Sequence, residues 1–367
     1  MKNTYSYCSK GLVFACTLYM AAVMIISPTG CIGAAKEAIS VCKEVVIPTL
    51  FPFIFCGNIF IELGAARIIG RYLSRLMLPM FNVSGAGAIA LVLGIISGYP
   101  VGAICAASLY QSGECSKAES ERLLAFCNNS GPMFIIGAIG TGMLGSHKIG
   151  VFLYIVHILS ALFCGIIFKG YGKKENTIFL PPAKEEADKK AAALDIGAAV
   201  IKSVNTVFMI CGFIIIFAVF TNALPQGNIR RFLYPFLEIT GGIKNIAQGD
   251  VNVFTLPVIS FFTAFSGISV LCQVYGITKP AGLSLLPYFS GKLLQGIIAF
   301  ALTLAAIAIA GGEVPVFMPN PTYVYSERYL FASSVTAVAY SMVALLLLIS
   351  VIWLWELMKN KARHRRR

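Results

Sequence analysis

A chain of 367 residues that is 57% hydrophobic and only 12% charged, with a mean hydropathy of +0.80, is too apolar for a soluble fold and reads as a polytopic membrane protein. Its formal charge of +13 lies in the loops between apolar runs, where lipid headgroups and the positive-inside bias account for it, so no nucleic-acid partner is expected. The cysteines include no CxxC pair and no zinc spacing, and Cys56, Cys105, Cys164, Cys211 and Cys272 sit inside apolar runs. Neither a metal centre nor a disulfide framework is expected.

From the N-terminus, Lys2 and Lys10 precede an apolar run that ends at Ser27-Pro28-Thr29-Gly30-Cys31. The pattern is like a signal peptide, but Pro28 and the polytopic chain behind it favour an uncleaved first span. A hydrocarbon core about 30 Å thick needs roughly 20 helical residues. Runs of that length lie near 11–30, 45–64, 129–146, 149–168, 204–223, 292–311 and 329–355. Two further stretches, near 86–111 and 251–276, are cut by helix breakers, Ser97-Gly98-Tyr99-Pro100 in the first and Ser266-Gly267 in the second. A break at membrane depth frees backbone polar groups that persist only where protein buries them or water reaches them. Two such breaks at matching places in two halves point to a transporter's binding site.

The halves repeat. Leu78-Pro79-Met80-Phe81-Asn82-Val83-Ser84-Gly85 aligns with Tyr234-Pro235-Phe236-Leu237-Glu238-Ile239-Thr240-Gly241. Arg67, Arg71 and Arg75 precede one copy, Arg230 and Arg231 the other, and an interrupted segment follows each. Cys56-Gly57 matches Cys211-Gly212, and Leu123-Leu124 with Ser130-Gly131 matches Leu285-Leu286 with Ser290-Gly291. Matches kept in order, at offsets drifting from about 155 to about 169, indicate an internal duplication. Each unit reads span, interfacial amphipathic helix, interrupted segment, polar-headed span, span. The divisions are an N-terminal transmembrane helix 1–38, a first repeat 39–168, a charged linker 169–195, a second repeat 196–358 and a basic tail 359–367.

If both interrupted segments are hairpins that dip in and return, each unit makes three crossings and the second is inverted relative to the first. With the N-terminus inside, Arg67, Arg71, Arg75, Lys117, Arg122 and the lysines of the linker all fall on the cytoplasmic side. Seven crossings then leave Lys359, Lys361, Arg363, Arg365, Arg366 and Arg367 outside, against the positive-inside bias. The orientation of the tail stays open at this point.

Ser97-Gly98-Tyr99-Pro100-Val101-Gly102-Ala103, followed by Glu121-Arg122-Leu123-Leu124-Ala125-Phe126-Cys127-Asn128-Asn129-Ser130-Gly131-Pro132-Met133-Phe134-Ile135-Ile136-Gly137, strongly resembles the sporulation integral membrane protein family of YlbJ type. That family lies in the nucleoside-recognition or Gate domain superfamily, and the likeness runs over nearly the whole chain. The resemblance implies an all-α polytopic membrane fold with inverted repeats and two re-entrant helical hairpins, similar to concentrative nucleoside transporters. It also implies a role in endospore formation, moving dipicolinic acid from the mother cell toward the forespore, in a cell membrane that becomes the outer forespore membrane.

Helix ends at hairpin tips expose N–H groups and a positive dipole end, suited to carboxylates, and dipicolinate carries two of these on an aromatic ring. The expected substrate site gathers Ser97, Gly98, Tyr99 and Pro100 from the first tip and Asn128, Asn129 and Ser130 from the head of the next span. Ser266, Gly267, Ser269 and Gln273 join from the second tip, with Glu238 and Ser290 beside them. The bland reading of Ser, Gly and Asn in membrane helices is close packing, and it is preferred for Gly137, Gly140 and Gly142. Recurrence favours function for the two breaks. Glu62 and Glu238 are candidates to hold a coupling cation or proton, although Glu62 lies near a span end where water meets it. Lys292 reads equally as a contact for an anion or as a side chain snorkelling to the interface. His157, alone on an apolar span, reads as a packed residue.

Catalysis has little support. His147, His157 and His364 stand at no ligand spacing with a carboxylate, and Asp188, Asp195 and Asp250 fall in loops or span starts. The expected function is therefore a membrane transporter of a small aromatic anion, working by alternating access around a site between two hairpins. No cofactor is expected beyond a coupling ion, and the partners are the bilayer and the substrate, with oligomerisation left open. A nucleoside or nucleobase carrier and a non-transporting sporulation membrane protein are the alternatives.

Overall fold

The computed structural model describes residues 2–63, 65–172, 195–222, 224, 228–247 and 254–309, and among these the regular elements are all helical. α1 (Lys2–Ile26) stops before Pro28, whose ring disfavours a helical Ser27, and the chain turns by 110° into α2 (Pro28–Val41). A π-helical turn (Cys42–Val46) joins α2 to α3 (Ile47–Glu62). Then follow α4 (Ala65–Phe81), α5 (Ala88–Ser97), α6 (Val101–Gln111), α7 (Lys117–Phe126), a π-helical segment (Met133–Met143) and α8 (His147–Phe168). The second half holds α9 (Ile196–Asn222), the short pair α10 (Asn228–Leu237) and α11 (Ile239–Ala247), then α12 (Thr255–Phe265), α13 (Gly267–Thr278) and α14 (Leu286–Ile309).

Outward faces confirm that lipid is the solvent. On α8, Ile155, Leu159, Phe163 and Ile166 form an exposed stripe at helical spacing, while His157, Ser160, Ala161 and Cys164 face inward. α14 does the same, with Leu293 and Ile297 outward and Gly296, Ala299 and Thr303 inward.

Residue pairs fix how the helices cross. A Cβ on Gly30 would lie 3.0 Å from Asn222 Nδ2, Cys42 Sγ donates to Cys211 O (4.0 Å), and Asn58 Nδ2 donates to Ser203 Oγ (3.1 Å). Position numbers rise on one side as they fall on the other, so α2 and α3 make one crossing antiparallel to α9. Tyr171 O accepts from Arg122 at 2.6 Å and Tyr171 OH donates to Glu121 at 2.9 Å, which brings the end of α8 back to the start of α7. α7, the unwound residues 127–131 and the π-helical segment therefore cover the depth that α8 retraces. The crossing expected at 129–146 is thus longer, beginning at Lys117 and broken in its middle.

The interrupted segments differ from one another. α5 and α6 pack together, and their outer ends meet: Ser84 Oγ donates to Glu114 O (3.3 Å), and Glu119 accepts from Ser84 N (2.7 Å) with one oxygen and from Ser116 N (2.8 Å) with the other. Both stems lie at the end of the bundle that carries the linker, so α5–α6 is a re-entrant hairpin, as expected. The preceding α4 turns into it by 91°, the posture of an interfacial helix. α12 and α13, by contrast, form one 24-residue apolar span, Thr255–Thr278. Thr303 Oγ1 donates to Ser260 Oγ at 2.8 Å near the far end, while Ser284 N, just after α13, donates to Glu121 at 2.8 Å at the linker end. The segment crosses and does not return. The expectation that Ser266-Gly267 is a hairpin tip is corrected: two consecutive left-handed residues, Ser266 (φ 71°) and Gly267 (φ 76°), interrupt the helix without reversing it.

A second re-entrant hairpin is present, but it is α10–α11, turning at Glu238. Its arms pack closely, Gly241 against Tyr234 and Gly242 against Pro235. The turn rests on the midpoint of the α12–α13 crossing, since a Cβ on Gly267 would meet Leu237 O at 3.4 Å and Ile239 N at 3.5 Å. The corresponding order is α2–α3 with α9, α5–α6 with α10–α11, the broken α7 crossing with α12–α13, and α8 with α14. The two sets begin from opposite ends of the bundle. The sequence alignment of Ser290-Gly291 with Ser130-Gly131 is corrected as well, because α14 runs unbroken through Ser290. The apolar run 329–355, the tail 359–367 and linker residues 173–194 lie outside the described residues.

Candidate functional site

Each hairpin turn meets a broken crossing halfway through the bundle, and buried polar side chains gather where the first pair meets. Residues 127–131 unwind for local reasons. Asn128 and Asn129 compete for backbone groups, and Pro132 lacks an N–H and disfavours a helical Gly131. Asn129 Nδ2 donates to Phe126 O at 2.8 Å, covering a carbonyl that α7 leaves unpaired. Asn128 Oδ1 accepts from Ala103 N at 3.3 Å, an orphan amide in the first turn of α6, and its Nδ2 reaches Tyr288 OH at 3.4 Å. At the other tip arm, Tyr154 OH donates to Ile95 O at 3.1 Å, near the end of α5. The freed backbone is paired to protein, as hydrocarbon requires.

Glycines let the hairpin close around this strand. Gly94 and Gly102 lie directly against Cys127 O, leaving no room for a Cβ. Gly98 adopts φ 86° and ψ −179°, a region open essentially to glycine alone, and its backbone abuts Gly131. Tyr99 turns its ring edge toward Phe134, with centroids 6.4 Å apart. Its hydroxyl faces Ser130.

Behind the unwound strand stand α8 and α14. Ser130 N donates to His157 Nε2 (3.1 Å) and Ser130 Oγ to Thr263 O (3.0 Å). Lys292 Nζ donates to Asn128 O (2.8 Å) and Gln295 Oε1 (2.7 Å), while Gln295 Nε2 donates to Asn129 Oδ1 (3.0 Å) and His157 O (3.3 Å). Asn128, Asn129, Ser130, His157, Lys292 and Gln295 are all buried. Lys292 sits deep in the bundle, so it does not snorkel.

Several expected residues thus come together: Gly98, Tyr99, Asn128, Asn129 and Ser130. Ser97 lies at the same tip, with its Oγ among the buried oxygens that have no partner within the described residues. Pro100 is buried at the start of α6. Ser266 is fully buried, its hydroxyl donating to Ala264 O at 3.4 Å beside the second turn. Glu238 is half-buried and accepts from Thr240 N (2.8 Å) and Gly241 N (2.7 Å), capping α11. Ser269 and Gln273 are buried four residues apart on α13, which packs on α6, α9 and α10. Ser290 is not brought in: it donates to Leu286 O (2.7 Å) of its own helix. Glu62 closes α3, and its side chain lies outside the described set. The sequence reading omitted Tyr288 and Gln295 from the site and placed His157 as mere packing. A signal was there, since 288, 292 and 295 fall on one face of a helix at i, i+4 and i+7.

No family model matches the chain, and no solved structure matches it. The sporulation integral membrane protein YlbJ of Bacillus subtilis (strain 168) is 34% identical over 327 residues, which cover 78% of this chain and 80% of that protein. Similarity of that extent takes in most of a helical bundle, and the chain accordingly belongs to the family of the sporulation integral membrane protein YlbJ.

Proposed function

We propose that this sporulation membrane protein is a carrier, not an enzyme, and that it moves a small aromatic anion, dipicolinic acid, across a cell membrane around forespore development. The observation that carries the proposal is the meeting of two re-entrant turns with two broken crossings at mid-depth, Gly98 with Gly131 and Leu237 with Gly267. Half-helices ending at a common depth from opposite faces are how secondary transporters build a site that either face can reach. A protein that merely scaffolds the membrane has no need of irregular backbone there, where each unpaired group is penalised. Tyr99 supplies an aromatic face at the first turn, and the unwound strand supplies amides and hydroxyls.

The sporulation relative supports the setting, and the resemblance noted above supports the substrate. Purified protein in liposomes, offered labelled dipicolinate and labelled nucleosides in parallel, tests the reading. Dipicolinate accumulation alone is the expected result. Accumulation of nucleoside alone would replace the substrate, and accumulation of neither would remove transport.

A further inference from the structure

Lys292 is 1% exposed, and its ammonium spends two of three N–H groups on the neutral acceptors Asn128 O and Gln295 Oε1. When protonated, Lys292 has one N–H more than these two acceptors take, and no carboxylate pairs with it among the described residues. Asn128 O lies two residues beyond the C-terminal end of α7, so a cation there sits near the negative end of that helix dipole. That accounts for where the ammonium rests, but partial charge at a helix end offsets only part of a buried unit charge.

A second unused donor lies beside it. His157 is 2% exposed, and Ser130 N donates to its Nε2, which must therefore carry the lone pair. In a neutral imidazole the proton is then on Nδ1. His157 Nδ1 has no partner among the described residues. Gln295 links the two residues, accepting from Lys292 Nζ while donating to the backbone carbonyl of His157. Among the described residues a protonated Lys292 has no counter-ion and His157 Nδ1–H has no acceptor, and an anion with two oxygens complements both.

Resting on the carrier reading above, we propose that Lys292 Nζ and His157 Nδ1–H together bind one carboxylate of the transported substrate, making Lys292 the residue that selects anions over neutral analogues. Neither group meets water in the conformation described, so the substrate reaches them when the Gly98–Gly131 contact between hairpin tip and unwound strand parts.

The test is ligand binding by the purified full-length protein, read by thermal shift and calorimetry. The probes are dipicolinate, pyridine-2-carboxylate, the neutral pyridine-2,6-dicarboxamide and chloride. Wild type is expected to bind both carboxylates and not the dicarboxamide. Lys292→Met loses a charge-assisted hydrogen bond, so carboxylate affinity falls about tenfold or more, while Lys292→Arg retains most of it. His157→Gln keeps an acceptor for Ser130 N but removes the Nδ1 donor, and it too weakens carboxylates. If Lys292→Met fails to fold, His157→Gln decides by the same readout. Wild-type binding of carboxylates that neither variant weakens would overturn the assignment and leave the carrier reading standing. A site that answers to chloride and not to carboxylates would overturn it in favour of an inorganic anion. Nucleoside binding without carboxylate binding would overturn both readings together.

Discussion

Gly98 and Gly131 touch backbone to backbone: a Cβ added to Gly98 would lie 2.8 Å from Gly131 N. The contact joins the tip of a re-entrant hairpin to the unwound middle of a crossing, and both residues have to be small for it to form. Gly98→Ala combines this overlap with a φ of 86° that L side chains rarely adopt. Strain of that kind amounts to about 1–3 kcal/mol. The expected outcome is a lower thermal unfolding midpoint in detergent together with lost dipicolinate uptake, whereas a Gly→Ala change at Gly137, where a Cβ meets nothing within 4 Å, leaves both intact.

Glu119 fastens both stems of that hairpin. Its carboxylate accepts from Ser84 N before α5 and from the Ser116 amide and hydroxyl after α6, and Ser116 in turn caps α7. Glu119→Ala takes the acceptor from three donors, the amides of Ser84 and Ser116 and the Ser116 hydroxyl, and removes half of a capping box, a loss of about 2 kcal/mol or more. Glu119→Gln, which keeps one acceptor, is expected to fall between. Chemical or thermal unfolding of the two variants, compared with wild type, gives the order.

Ser130 and Ser290 were aligned with each other in sequence, yet they sit in different surroundings. Ser130 Oγ donates across the bundle to Thr263 O, and Ser290 Oγ donates to its own helix. Ser130→Ala is expected to impair uptake at unchanged expression. Ser290→Ala is expected to behave as wild type, within about 0.5 kcal/mol in stability. Equal loss of uptake in both would contradict the placement.

Crossing number decides where the basic tail lies. With α12–α13 passing through, α14 ends on the face opposite Lys169, and if the apolar run 329–355 crosses as its length in the sequence predicts, the tail is expected on the face that holds Lys169 and the linker. Lys117, Lys169 and Lys202 then share a face with the terminal arginines, in keeping with the positive-inside bias. Reporter domains inserted after Ala187 and after Arg367 are expected to be cytoplasmic, and one inserted after Gln248 to be outside. A tail on the opposite side from Ala187 would mean that α12–α13 doubles back.

That conflict of charge was visible in the sequence, and the break at Ser266-Gly267 was its source. Both interruptions announce themselves by the same residues, because any break in lipid needs glycine and small polar side chains. Whether the chain then reverses depends on backbone angles: ψ −179° at Gly98 sends α6 back along α5, while ψ −6° at Ser266 lets α13 carry on. Composition does not encode that difference. The true second turn, at Glu238, sits in a stretch whose Arg230 and Arg231 read as an interfacial helix, so its depth was hidden. Asn128, Asn129 and Ser130 were legible because Pro132 and paired asparagines rarely occur in a continuous span. Their partners His157, Lys292 and Gln295 lie 27 to 166 residues away, and only folding brings them near.

The first hairpin is anchored by a carboxylate at its mouth and meets its neighbour through bare backbone at its tip. At Gly98 itself the tip is matched to Gly131 by shape alone, with no side chain between them, whereas the root is held by a carboxylate. Under the carrier reading, a hairpin held this way opens from its tip and not from its root at the linker end.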